Sequence, residues 1–254
     1  EVHYFTKKAF EPIISSNPYI DKFFLLEKDL NHLLKELRKE KYDYIIDLHN
    51  NLRTARIKLS LGVKSYSFNK LNWEKWLMVN WKINNLPVKH IVDRYLDTLQ
   101  HFKVKNDEKG LDFFIPEKDV VDQEKTNSLL STEGFNLNNE YIAFVIGAQH
   151  FTKRLPEEKI ISILNKITLP VILLGGKDDK QRAEIILKNV GKNVFNACGL
   201  FNINQSASIV NQAYKVITHD TGLMHIAAAF NKYIISVWGN TIPEFDMYPY
   251  MPEN

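Results

Sequence analysis

Apolar residues along this chain keep two rhythms that take turns. Leu30, Leu33, Leu34 and Leu37 recur at helical spacing, and residues 42–48 (Tyr-Asp-Tyr-Ile-Ile-Asp-Leu) form a short run of the kind a buried strand makes. A polar turn, His49-Asn50-Asn51, leads into residues 52–61, a second helical stretch that stops at Gly62, a residue type that often ends helices. Residues 1–5 and 64–68 read as strands, 72–81 as an aromatic-rich amphipathic stretch, and 90–102 as a helix with Ile91, Tyr95, Leu96, Leu99 and Phe102 on one side. Residues 111–116 close this half.

The rhythm then restarts. Residues 141–147, 171–176 and 194–196 read as strands, and 156–166, 180–189 and 206–213 as helices, the first with Pro156 near its first turn. A run from Val216 to His219 meets Asp220-Thr221-Gly222, an Ala-rich helical pattern follows to Phe230, and residues 233–239 give another strand. That is a βαβ unit whose first turn carries nearly all its polar chemistry. Two successive series, joined through a charged segment near 117–140, predict an α/β protein of two doubly wound domains, 1–130 and 131–254.

Composition changes this picture little. At 44% hydrophobic and 25% charged residues, the 254-residue chain is an ordinary globular protein with a real core. A net charge of +3 gives no warrant for nucleic-acid binding, although it suits work near anionic lipid or polyphosphate. One cysteine, Cys198, rules out an intrachain disulfide and fits a cytoplasmic location. No run approaches a membrane span. The chain begins without Met and stops without a closing helix, so the expectation is a sequence trimmed at both ends.

Three loops carry candidate chemistry. Asp220, Thr221 and Gly222 lie where open α/β sheets bind ligands, before a helix whose free N–H groups suit a phosphate. Asp220 as a plain helix cap is the alternative. His225, one turn on, is either a neutral donor near the helix's positive end or a satisfied core histidine. A metal on Asp220, His219 and His225 is discounted for want of a third carboxylate. After the strand ending at Gly147, Lys153 and Arg154 are placed to neutralise a diphosphate, or are solvated surface. After Gly175-Gly176, Asp178 and Asp179 are candidates for ribose hydroxyls or for a helix cap. In the first half, Asn51, Arg53 and Arg56 follow a strand end, while His90, Asp93 and Arg94 read as a solvated, ion-paired helix face.

The segments 42–53, 90–96, Thr152-Lys153-Arg154-Leu155-Pro156 and Asp220-Thr221-Gly222-Leu223-Met224-His225 resemble glycosyltransferase family 9, the lipopolysaccharide heptosyltransferases. Gly239-Asn240-Thr241-Ile242-Pro243 is similar to the family's Gly-Pro-Thr-x-Pro loop, with Asn240 in place of Pro. The resemblance implies a GT-B fold, with an acceptor-side Rossmann-like domain and a C-terminal nucleotide-sugar domain. It implies inverting, metal-independent transfer of heptose from ADP-heptose to a lipid A–core acceptor, without a cofactor. Lys153 and Asp220 are then catalytic, the first neutralising the leaving diphosphate and the second holding donor-sugar hydroxyls. Thr221, Gly222, Leu223, His225, Gly147 and Asp178 bind the donor, and Asn51 and Arg53 lie on the acceptor side. A monomer at the cytoplasmic face of the inner membrane, without nucleic acid, is the implied setting.

The family's general base, an Asp in a Ser-x-x-Gly-Asp loop, is expected upstream of Glu1, and the 254 residues alone are expected not to turn over. A GT-B-like sugar-nucleotide epimerase and a non-catalytic nucleotide-sugar binder remain alternatives.

Overall fold

The structure is a computed structural model; it describes residues 1–130, 139–148, 150–239 and 241–252, with backbone only for 127–130 and 244. Gln149, Asn240 and the sequence-predicted junction over 131–138 lie outside the described residues. The chain forms two units, Glu1–Glu108 with Glu244–Met247, and Lys109–Pro243 with Tyr248–Asn254.

In the first unit, β1 (His3–Lys7) pairs in parallel with β2 (Lys22–Leu26), and β3 (Tyr44–Asp47) with β4 (Lys64–Ser67). The helices are α1 (Glu11–Ile14), α2 (Leu30–Leu37), α3 (Leu52–Leu61), α4 (Asn72–Trp81) and α5 (Ile91–Leu96). Asp29 caps α2 by accepting from Asn31 N–H at 2.8 Å, and Leu33, Leu34 and Leu37 are buried beside Phe24 and Ile57. At the end of α3, Gly62 takes the left-handed conformation (φ 65°) that its position calls for. The helix expected over 90–102 is α-helical only to Leu96 and tightens into a 3₁₀ turn over Asp97–Phe102. Strand β2 had no sequence-level counterpart.

The second unit is one parallel sheet of β5 (Ile142–Val145), β6 (Val171–Leu174), β7 (Val194–Asn196), β8 (Lys215–His219) and β9 (Tyr233–Val237), in the order β7-β6-β5-β8-β9. Its helices are α6 (Gln123–Leu130), α7 (Glu157–Leu164), α8 (Lys180–Leu187), α9 (Ile203–Gln212) and α10 (Gly222–Ala229). Every residue of β5 and β6 is buried, as continuous apolar strands must be when helices cover both faces. The α9 helix starts three residues before the expected Ser206, because Asn202 and Gln205 form a capping box there.

The division between units falls at Glu108/Lys109, earlier than residue 130. Residues 111–116 therefore belong with the second unit: Phe113 and Ile115 pack on its core, Phe113 edge-on to Phe230. Val121 is buried there and fastened to α9, its N–H donating to Ser208 Oγ at 2.9 Å and its carbonyl accepting from Gln212 Nε2 at 3.0 Å.

Candidate active site

The strand order reverses between β5 and β8. That is the switch point of a doubly wound sheet, where the loops leaving two adjacent strands diverge and open a crevice at their carboxyl ends. The loop after β5 carries Lys153, and the turn after β8 carries Asp220. Sequence and topology thus bring the two strongest candidates to one place.

Lys153 sits on a short 3₁₀ turn, Phe151–Lys153, in a loop held by side chains from three other elements. Arg182 of α8 donates to the carbonyl of Ile146 at 2.8 Å and also to that of Leu155. Arg154 donates from Nε to the Ala148 carbonyl at 2.8 Å, with its guanidinium 3.7 Å from Asp179. His219, the last residue of β8, is fully buried, and its Nε2 accepts the Leu155 N–H at 2.9 Å. Burial, with Arg182 and Arg154 nearby, pushes that imidazole down to about 4, against the pull of the Gly147 and Val145 carbonyls. The ring is therefore neutral at pH 7, and Nε2 is its acceptor nitrogen.

So fixed, Lys153 Nζ lies 2.6 Å from Asp220 Oδ2. The same oxygen accepts from Thr241 Oγ1 at 2.9 Å. Both side chains are mostly covered, at 23% and 9% exposure. The loop bearing Thr241 gets close because Gly239 has no side chain: a Cβ there would fall 2.4 Å from the Thr152 carbonyl oxygen and 3.2 Å from Lys153 Cα.

The reading of Asp220 as a helix cap is overturned. The N-cap residue of α10 is Thr221, extended at φ −141°, ψ 169°, and its own side chain makes no cap bond to the first turn. Asp220 is instead committed to Lys153 and Thr241. Thr221 Oγ1 lies 3.4 Å from Thr218 Oγ1. Gly222 opens the helix with nothing within 4 Å of its missing Cβ, whereas the Leu223 side chain is buried, so only its backbone faces the site. A turn without a cap bond from its N-cap side chain, the positive end of the helix dipole and an adjacent ammonium together suit an anion. His225 is half-buried on the same helix, one turn in.

The remaining candidates separate. Asp178 is exposed, and its neighbour Asp179 is the buried carboxylate, accepting from Gly176 N–H at 2.9 Å. Gly147 is itself buried, and a Cβ there would meet Asp179 Oδ2 at 2.3 Å, so its glycine serves this packing. Cys198 is buried, and burial pushes its thiol up to about 12, leaving it inert.

In the first unit Asn51 is the N-cap of α3, in a capping box with Thr54. Arg53 is half-buried beside it, and Arg56 donates to Asn31. Asp47 at the end of β3 pairs with Lys58 at 2.8 Å. The solvated-face reading of His90 and Arg94 is corrected: both are buried. Arg94 donates to the Asn69 carbonyl at 2.8 Å and lies over the Phe68 ring, while His90 caps its own helix by accepting from Val92 N–H. Asp246, also buried, receives the Ile91 N–H on its backbone oxygen and sits within the field of Arg94, His90 and Lys75.

Sequence reasoning passed over Thr241 and Arg182. The only signal for Thr241 was the Gly239–Pro243 loop, whose Asn240 is outside the described residues. Arg182 acts through backbone carbonyls, which leave no pattern in a single sequence. Of the two carboxylates after Gly176, Asp179 takes the cap position, accepting the Gly176 N–H.

A family model described as glycosyltransferase family 9 (heptosyltransferase) matches residues 30–253. The chain is 25% identical to the lipopolysaccharide heptosyltransferase 1 of Campylobacter coli, over 95% of this chain and 75% of that one. Among solved structures it is similar to the family 9 glycosyl transferase of Veillonella parvula DSM 2008, with a TM-score of 0.79 at 21% identity over 98% of this chain and 75% of that one. The E. coli ADP-heptose lps heptosyltransferase II gives a TM-score of 0.73 at 19% identity, over 97% and 78%. The fold is therefore of the GT-B type.

Proposed function

The chain belongs to glycosyltransferase family 9, and from that premise we propose that it moves a heptosyl group from ADP-heptose to a lipopolysaccharide core acceptor, with inversion and without a metal. The relative from C. coli is a lipopolysaccharide heptosyltransferase and the E. coli structure an ADP-heptose enzyme, which supports the donor and acceptor classes. The observation that carries the reading is the Lys153–Asp220 pair, 2.6 Å apart, beside the first turn of α10.

In the transfer, an acceptor hydroxyl oxygen attacks the anomeric carbon from the face opposite the diphosphate. The bond from that carbon to the phosphate oxygen breaks, its electron pair leaves with ADP, and the hydroxyl proton passes to a base. Negative charge develops on the leaving phosphate. Lys153 and the N–H groups of Thr221, Gly222 and Leu223 meet that charge, preorganised as the sheet edge holds them. A fixed cation and aligned amides do there what a metal does elsewhere. Asp220, kept in place by Thr241, takes the donor sugar's hydroxyls. The working place of such an enzyme is the cytoplasmic face of the inner membrane, as a monomer.

The test is thermal-shift titration with ADP and with UDP, since a ligand that binds only the native state raises stability by mass action. ADP is expected to raise the Tm of the wild type and to lose most of that effect in Lys153→Ala. A Tm unmoved by ADP at millimolar concentration refutes the reading.

A further inference from the structure

Between Leu52 and Lys89 the sequence holds six lysines, two arginines and one acid, Glu74, a net +7 in a chain whose total is +3. Three of the four tryptophans, Trp73, Trp76 and Trp81, fall in the same stretch. The structure puts them outside. Along α4 the exposed residues are Asn72, Trp73, Trp76, Val79, Asn80 and Trp81, while Glu74, Lys75, Leu77 and Met78 are partly covered, and no residue of the helix is buried. Trp73 and Trp81 are 65% and 67% exposed, and Trp73 stacks on Trp76 at 5.1 Å with 10° between the rings. Ile83 and Val88, just beyond the helix, are exposed as well. The outer stripe of this helix is thus its apolar stripe, inverting the usual pattern of a surface helix.

We infer that the outer face of α4, with the lysines around it, docks on an acidic phospholipid bilayer. It rests on the membrane-face reading above and supplies the residues for it. Indole rings favour the headgroup level, where an apolar body and a polar N–H are both accommodated. Lysines interleaved with aromatics add attraction to anionic headgroups. A second copy of this chain fits worse, because a two-fold interface would set one basic segment against another, still net positive with Lys58 and Lys89 paired to Asp47 and Asp97. The opposite charge must come from the partner, and a bilayer meets a flat stripe of rings without needing a complementary pocket.

Cosedimentation with vesicles of phosphatidylcholine alone and of phosphatidylcholine with phosphatidylglycerol tests this. Neither contains a glycolipid acceptor, so the readout is independent of transfer and of ADP binding. The wild type is expected to sediment with the phosphatidylglycerol vesicles only, with blue-shifted emission in a Trp238→Phe background, and to be released by salt. Trp73→Ala/Trp76→Ala is expected to stay in solution while still melting cooperatively. Should that variant not fold, Lys64→Gln/Lys82→Gln serves: each lysine removed is expected to lower partition about fivefold, the ratio for about 1 kcal/mol. Absence of wild-type sedimentation at low salt overturns the inference. So does equal sedimentation of wild type and variants, or a dimer in solution that the tryptophan substitutions dissolve.

Discussion

Two strand–turn–helix units in this chain share a layout and differ in what they do with it. In the first, β3 ends at Asp47 and α3 begins after Asn51; in the second, β8 ends at His219 and α10 begins after Thr221. Each turn holds an aspartate 2.6–2.8 Å from a lysine. Around Asp47 every polar group is used locally. Its Oδ1 accepts from the N–H groups of His49 and Asn50, Lys58 comes from the helix that follows, and Asn51 and Thr54 close the first turn reciprocally. Around Asp220 the partners come from two remote loops, and the N-cap side chain does not close the helix end. The first turn is a finished structural joint. The second has no cap bond from its N-cap residue, and that difference, not the presence of an Asp–Lys pair, is what favours the proposed donor site there.

Removing each lysine breaks the comparison most sharply. Lys153→Ala takes away a charge aimed at the diphosphate and is expected to weaken ADP binding at least tenfold, the ratio for loss of a charge-assisted hydrogen bond of about 1.5–3 kcal/mol. Lys58→Ala is expected to leave ADP affinity unchanged and to lower stability instead. Burial alone would raise the Asp47 carboxyl, but Lys58, the N–H groups of Asn50 and His49, and Thr54 hold it below its usual range. Calorimetry with ADP beside urea denaturation separates the two outcomes, and equal losses of ADP affinity would erase the distinction between the turns.

His219 gives the second unit a titration of its own. Its native value near 4 lies below the ordinary 6.5, so below pH 6.5 the unfolded chain takes up a proton that the native chain refuses. Stability is fully present above pH 6.5 and drops by about 3 kcal/mol as pH falls to 4. His219→Gln keeps an acceptor for the Leu155 N–H and does not titrate, so its denaturation midpoint is expected to change less across that window. An identical pH profile for wild type and variant would show that the histidine does not govern it.

Gly239→Ala probes how the Asp220 pair is assembled. The new methyl meets the Thr152 carbonyl at 2.4 Å, and backbone cannot swing aside as a side-chain tip can. A stability loss of about 1–3 kcal/mol is expected, with weaker ADP binding because Lys153 moves with Thr152. Unchanged ADP affinity by calorimetry would mean that the 239–243 loop does not set the position of Lys153.

Much of the second unit was legible because β5, β6 and nearly all of β8 are buried and announce themselves as apolar runs. The turn at 220–222 and the loop at 153 were visible for the same reason: both follow such runs. The first unit was harder. Strand β2 is a five-residue Lys-Phe-Phe-Leu-Leu run, set off by Ser15-Ser16-Asn17-Pro18 before it but too short and too uniformly apolar to show a period. His90 and Arg94 looked solvated because four-residue spacing is common on exposed helices. Their burial depends on Asp246, some 150 residues away, returning to the first unit. Periodicity reports on neighbours along the chain, and the contacts that bury His90 and Arg94 or bring Thr241 to Asp220 join distant segments.

The smallest expected effect is the most direct reading of the two helix starts. Asn51 supplies a side-chain acceptor to α3, so Asn51→Ala is expected to cost about 1 kcal/mol in chemical denaturation. Thr221 holds the matching position on α10 but gives no side-chain bond to that helix. Thr221→Ala keeps the backbone N–H and removes only a hydroxyl 3.4 Å from Thr218, so its cost is expected to stay within about 0.5 kcal/mol, with ADP affinity retained. If Thr221→Ala were as destabilising as Asn51→Ala, the end of α10 would be capped like any other, and the amides assigned to the diphosphate would already be in use.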